Sequence, residues 1–388
     1  MLLQNKKVAI VGGGPAGLTL ARLLQLKGID VKVYERDKDK SVRQQGATLD
    51  LHYESGLKAL REGGLIEEFK KKYRPGADRL TLTDHNTVVH FIEPDEQVMQ
   101  DLDSEYARPE IDRGPLRDLL ITSLQDGTIV WNSEFSECRK RGSSWDLFFE
   151  NGTVANADLV IAADGANSKI RKYITDIQPI YSGITIVEGN IYNAAVNVPQ
   201  LWELTNGGKV FAMGSCKTIV LSAKGEGSLS FYTGSREAED WVKTCGIDFE
   251  NKEQIFTWFK HRFSDWSTDW HEIFATDNSY FVARPQYHFP VNQSWPTLPD
   301  LTMLGDAAHR MPPFAGEGVN QAMQDALELY EALCVKNFST VQDAIAWFES
   351  KMCIRAAEVT QDTLVQTEAL HSQNNLRYLL DMFNQFPH

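Results

Sequence analysis

The chain has 388 residues, 42% of them hydrophobic and 24% charged, enough to bury the cores of two domains, or three at most, and inconsistent with wholesale disorder. Its 39 basic and 53 acidic residues leave a net charge of −14, a field that repels phosphate backbones and anionic lipid, so neither nucleic acid nor membrane is expected as a partner. Five scattered cysteines (Cys138, Cys216, Cys245, Cys334, Cys353) form no C-x-x-C pair; they read as free thiols of a cytoplasmic protein, with no metal site.

Near the start, Lys6-Lys7 and the apolar stretch from Val8 to Ala21 imitate a secretion signal. However, Gly12-Gly13-Gly14-Pro15 breaks the stretch where a signal would be helical, and the run is too short for a membrane span. It reads instead as a strand (Val8–Val11), a helix over about 15–27 and a second strand (Val31–Tyr34), which together make a βαβ unit. Segments 78–92 and 181–234 alternate apolar and polar residues, as half-exposed antiparallel strands do. Leu159–Ala162 and Leu301–Leu304 are further buried strands, and helical patterns cover about 318–335 and 340–370. The chain is therefore expected to leave a parallel-sheet domain for a second sheet and return.

Gly12-Gly13-Gly14-Pro15-Ala16-Gly17 is a G-x-G-x-x-G placed between strand and helix. Such glycines allow a tight turn, close approach of a pyrophosphate and close helix–strand packing, with the helix N-terminus supplying N–H donors. Glu35 lies 18 residues past Gly17, where a carboxylate accepts ribose hydroxyls and would repel a 2′-phosphate. The dinucleotide is then FAD or NAD, and this motif alone does not separate them.

Two later motifs do. Asp164-Gly165-Ala-Asn-Ser168-Lys-Ile-Arg171 is expected to follow a strand and open a helix. Gly305-Asp306-Ala-Ala-His309 runs on through Pro312, Pro313, Gly316 and Gly318 to Asn320. With these three motifs in this order, the sequence resembles the FAD-dependent aromatic hydroxylase family of single-component flavoprotein monooxygenases. The resemblance implies an α/β fold: a Rossmann-like FAD-binding domain interleaved with a mainly antiparallel β-sheet substrate domain, and a C-terminal helix. Residues 1–75, 101–175 and 286–335 would be three pieces of the FAD domain, 76–100 and 176–285 the substrate sheet, and 336–388 the helical segment.

The resemblance also assigns residues. Gly12, Gly14, Ala16, Gly17, Glu35, Arg36, Arg43, Asp50, Arg113, Asp164, Gly305, Asp306, Pro313, Gly316, Gly318, Val319 and Asn320 are expected to hold FAD. Asp164 could equally be an N-cap, and His309 reads as a structural member of its turn. The segments Arg43–His52, Pro109–Arg113 and Met311–Gly316 are similar to those of the tetracycline-inactivating flavin monooxygenases, which would imply a role in antibiotic resistance. Loose alignment places Glu188, Lys209 and Ser230 at the tetracycline-recognising positions. These differ in type from the family's glutamine, arginine and histidine, as Glu317 differs from a common glutamine. Phe211, Met213, Phe231 and Tyr232 are expected on the pocket floor, with Pro312, Phe314, Ala315 and Gly316 also near substrate.

The activity implied is monooxygenation of a small or polycyclic aromatic or enolic molecule by a monomer. FAD would be reduced by transient NADPH or NADH and would react with O2 to give a C4a-hydroperoxide as oxygen donor. No protein residue is assigned as catalytic. A halogenase is disfavoured because no W-x-W-x-I-P segment occurs. A flavin reductase or oxidase, or a non-catalytic flavin-binding protein, are the rival readings.

Overall fold

The buried run Val8–Val11 forms the centre of a five-stranded parallel sheet, in a computed structural model that describes residues 2–42, 48–93, 101–274, 276 and 279–385. Its strands are Lys7–Val11, Asp30–Tyr34, Ile129–Val130, Leu159–Ala162 and Leu301–Met303. Numbered along the chain, they lie side by side as 3-2-1-4-5, the order of a dinucleotide-binding sheet. Pro15–Leu26 and Gly318–Tyr330 pack together on this sheet through Leu18, Ala21, Met323 and Ala326, all fully buried. Three antiparallel strands that the residue pattern did not reveal (Phe135–Arg141, Ser144–Phe149, Val154–Ala157) extend the same domain.

The second sheet has seven strands drawn from 80–92 and 180–288, antiparallel except where Lys209–Gly214 runs parallel to Leu80–Asp84. Alternation gives it two distinct faces. Val210, Ala212, Ile219, Leu221, Leu229 and Phe231 bury one face under the helices Pro199–Thr205 and Lys252–Arg262 and the turn Thr268–Phe274. Phe231 therefore belongs to the core behind the sheet and not to the pocket floor; its register pairing with Leu221 puts it there. The opposite face carries Glu188, Lys209, Phe211, Met213, Val220, Ser222, Ser230 and Tyr232, which share a face by register.

A two-stranded ribbon, Thr48–Asp50 with Glu110–Asp112, connects the two sheets. The helix Val341–Leu370 spans both: Ile345, Phe348 and Met352 enter the parallel-sheet core, while Leu370 packs on Leu82 and Met213 of the second sheet. The expected helix opening at Asp164 is absent. Asp164 Oδ2 accepts from the N–H groups of Lys169 and Ile170 and Ser168 Oγ from those of Ile170 and Arg171. These side-chain bonds close a tight loop, leaving only the short turn Arg171–Tyr173.

Candidate functional site

The glycines of the fingerprint have different tasks. Gly12 has φ +114°, and a Cβ there would lie 2.1 Å from the carbonyl oxygen of Ala163. A Cβ on Gly17 would lie 2.1 Å from the Gly12 carbonyl oxygen. Both glycines thus bring backbones together. Gly14 is different, since nothing lies within 4 Å of its would-be Cβ. It caps the helix Pro15–Leu26 without any side-chain hydrogen bond, so an open space adjoins free helix N–H groups, which is the cradle a pyrophosphate needs. The buried Glu35 carboxylate accepts from Gly13 N–H at 2.6 Å and from Asp37 N–H at 3.0 Å. A Cβ on Gly13 would meet Glu35 Oε2 at 2.7 Å, so the middle residue of the motif is also constrained to glycine.

At the end of strand Leu301–Met303, Gly305 adopts φ +62° and turns the exposed Asp306 outward. Behind it, Asp325 is fully buried and accepts from Gly305 N–H at 2.7 Å, from His309 Nε2 at 2.6 Å and from Arg355 at 2.7 Å. Burial opposes a charge on His309, but the Asp325 carboxylate holds its pKa above the usual histidine value. Arg355 also reaches Glu328, which pairs with Lys351. Arg171, the last residue of the second motif, donates to the carbonyls of Ala307 and Ala308 and stacks 3.5 Å from the Phe289 ring centroid. His309 and Arg171 thus act as supports of the turn.

The helix Gly318–Tyr330 also starts without a side-chain cap. A Cβ on exposed Gly318 would meet nothing within 4 Å, so this second helix N-terminus is open too. Asn320 is fully buried, donates to the Asp50 carbonyl and accepts from His52 N–H and Ser55 Oγ. It fastens the helix to the segment carrying Asp50. The Asp50 carboxylate bonds His52 Nε2 at 2.9 Å, and His52 Nδ1 lies 3.6 Å from Glu317. Burial alone would raise the pKa of Asp50, but the His52 bond and the nearby Lys209 ammonium hold it below the usual range. A Cβ on Gly316 would lie 3.7 Å from Asp50 Oδ1, so Asp50, Gly316 and the helix start converge.

The ribbon sets this cluster against the second sheet. Thr48 Oγ1 meets Ser222 Oγ at 3.2 Å, and Gly225 N–H donates to Asp112 at 3.0 Å. Lys209 is ion-paired with the buried Glu110, and Glu188 with Arg284 at 2.5 Å. Ser230 and Met213 are enclosed, Ser230 donating to the Ser222 carbonyl and Met213 lying under the C-terminal helices. What remains half-open on this face is Phe211, Val220, Tyr232, Tyr280 and Val282, beside Glu188 and Lys209. Phe314 packs with Phe211 and with the helix Asn375–Gln385, which closes that end.

The expected cofactor residues fall in two groups. Gly12, Gly14, Gly17, Glu35, Gly305, Asp306, Gly316 and Gly318 line the ends of the parallel strands. Arg36 and Arg113 are exposed there, Arg113 with no polar partner among the described residues. Ala16 and Val319 are buried at the starts of the two helices, and Pro312, Pro313 and Ala315 shape the turn between them. Asp164 behaves as a cap through one oxygen, while Oδ1 is buried without a partner and burial raises its pKa. Arg43 lies outside the described residues. Sequence reasoning missed Gly13, Tyr280 and Lys224; a strand register, not a motif, brings the last two onto the open face. Among the described residues no helix is long and apolar enough to cross a membrane, and no group of three or more His, Cys, Asp or Glu could hold a metal ion.

A family model described as an FAD binding domain matches residues 5–337. Monooxygenase asqM of Emericella nidulans is 28% identical over 386 residues, covering 86% of this chain and 85% of that protein. A 3-amino-4-hydroxybenzoate 2-monooxygenase of Streptomyces platensis is 24% identical, covering 85% and 80%. Among solved structures, HpxO of Klebsiella pneumoniae complexed with FAD superposes with TM-score 0.76 at 19% identity, over 97% of this chain and 93% of that one. The tetracycline destructase Tet(51) superposes with TM-score 0.73 at 17% identity, over 98% and 95%. With its parallel-sheet fingerprint, its interleaved second sheet and these relatives, the chain belongs to the FAD-dependent aromatic hydroxylase family and is an FAD-dependent monooxygenase.

Proposed function

We propose that this enzyme hydroxylates an electron-rich phenolic or enolic small molecule held on the open face of the seven-stranded sheet, with NADPH or NADH as electron donor. The observation that carries the reading is the convergence of Asp50, Gly316 and the uncapped start of helix Gly318–Tyr330 on the half-open patch around Phe211, Val220 and Tyr232. The residues fit FAD, because two open cradles at Gly14 and Gly318 each adjoin a helix N-terminus. When bound, FAD supplies the redox and oxygen-activating chemistry.

The chain's own residues position and shield. Glu35 and Asp306 would accept cofactor hydroxyls, with Arg113 and Arg36 offering cationic donors. Asp164 Oδ1 is a buried acceptor awaiting a donor. The first turn of Gly318–Tyr330 would stabilise negative charge on a reduced cofactor, and Asn320 sets its position. Phe314 and the helix Asn375–Gln385 would exclude water. One glycine fingerprint sits between strand and helix, so the nicotinamide donor would visit transiently. The five cysteines are free, and burial pushes the Cys138 thiol up to about 12, which fits an unreactive residue of a reducing cytoplasm.

Tetracycline inactivation is the second reading, favoured by the fold likeness to Tet(51). Glu188 and Lys209 already hold Arg284 and Glu110, so we rank another phenolic or polyketide metabolite first. Purified protein should be yellow and should oxidise NADPH or NADH faster with a substrate from a panel of phenols and tetracycline. Mass spectrometry should then show a one-oxygen gain. Stimulated oxidation without an oxygenated product would replace the hydroxylase reading by a reductase or oxidase one.

A further inference from the structure

Lys224 is 5% exposed. It follows strand Lys217–Ala223 and continues its ladder, donating its N–H to the Ser228 carbonyl. Register puts its side chain on the same face as Ser222 and Val220, the face that carries the open patch. Its hairpin is fixed on both sides. Gly225 N–H donates to Asp112, and Ser228 Oγ bonds Asn190, which shares the open face, at 3.3 Å. Yet the Lys224 ammonium has no hydrogen bond and no ion pair among the described residues.

The groups around it are known. Asp112 is engaged by Arg74 and Gly225, and Glu188 by Arg284. Glu226 accepts from Ser228 Oγ, and Arg113 is a second cation without a partner. All four lie close enough to influence the ammonium, so it extends between the ribbon and Glu188, over the patch. Burial, above all, lowers its pKa, and Arg113 adds to that effect. A lysine is almost never buried without a partner, because desolvating an unpaired ammonium is costly. Such a group calls for an anion that the free chain does not provide.

We infer that Lys224 is a specificity-determining residue, pairing with an anionic oxygen, carboxylate or phenolate, of the substrate bound on the open sheet face. The inference rests on the hydroxylase reading for the word substrate only; the binding it describes is measured separately from turnover.

The test uses FAD-loaded enzyme, titrated with 3-amino-4-hydroxybenzoate and with its uncharged methyl ester, while the flavin absorbance is followed. The wild type should bind the acid better than the ester. Lys224→Met should weaken the acid about tenfold or more and leave the ester unchanged, and Lys224→Arg should restore most of the preference. Unliganded Lys224→Met should also melt at a higher temperature, because an unpaired buried charge is gone. Three results would overturn the inference: equal binding of acid and ester by the wild type, no spectral response to the acid at about 10 mM, or a Lys224→Met protein that loses FAD while its loaded fraction binds the acid normally. Acid binding through Lys224 without any oxygenated product would uphold the inference and count against the hydroxylase reading.

Discussion

Gly12 and Gly14 stand two residues apart in one motif, and substituting each should fail in a different way. A methyl group on Gly12 meets the Ala163 carbonyl, in a backbone conformation that L-residues rarely adopt. Gly12→Ala should therefore destabilise the fold itself by more than about 2 kcal/mol, read as a lower urea midpoint of the apoprotein. Gly14 faces open space, so Gly14→Val should leave apoprotein stability nearly unchanged. It should weaken FAD by about tenfold to a hundredfold, the cost of intruding on the cradle, as measured by flavin fluorescence titration. Equal loss of apoprotein stability in both variants would contradict this division of labour. The motif and Glu35 were legible in the sequence because local spacing encodes them. The contact of Gly13 with Glu35 was not, since it depends on where the second strand ends relative to the first. Lys209, Glu188 and Ser230 were found on the correct face by alternation, but their partners Glu110, Arg284 and Ser222 come from other strands and carry no local signal.

Elements show the same contrast. Strands of the parallel sheet and the helix Val341–Leu370 were readable, because a buried apolar run and a long helical period are local patterns. The loop after Asp164 was misread as a helix start because Asp and Ser serve helix caps and closed turns alike; tertiary demand for Arg171 at Ala307 and Ala308 decided it. The helix Val341–Leu370 reaches the cofactor turn through Arg355, which neutralises Asp325 and Glu328. Arg355→Met would leave those buried carboxylates undercompensated, with His309 and Lys351 as their remaining cations. A loss of about 3 kcal/mol is expected, measured by urea denaturation, with weaker FAD retention because Asp325 also holds Gly305 N–H. Restored FAD retention is not expected from Lys at this position, since a single ammonium does not reproduce the guanidinium fork that bonds both acids. An unchanged urea midpoint in Arg355→Met would show that the network is not coupled to the fold.

At the scale of the whole molecule, three bodies meet at His371: the second sheet, the Pro312–Gly316 turn and the end of the long helix. Its imidazole is 1% exposed and packs edge-on against Phe314, with ring centroids 4.9 Å apart. Nδ1 bonds the Thr367 carbonyl at 2.8 Å, and Nε2 has no partner. The His371 carbonyl accepts from Arg236, and nearby Asn375 donates to the Lys217 carbonyl, so both ends of the junction are tied to the sheet. Burial, chiefly, pushes the His371 pKa down to about 4. The sign follows directly. The unfolded chain takes up this proton near the model-peptide value of about 6.5, while the folded chain resists it until about pH 4. Over that interval the unfolded state binds more protons, so stability rises with pH and is lost on acidification. The contribution amounts to about 3 kcal/mol between the two pKa values. His371→Gln keeps an amide donor for the Thr367 carbonyl but has nothing to titrate. Urea denaturation of apoprotein at steps from pH 7 to pH 4 should give a shallower pH dependence for the variant than for the wild type. Parallel curves would mean that other groups govern the acid loss. The fall would then belong to the carboxylates paired across the two sheets, and the C-terminal junction would have no special part in holding the substrate face closed.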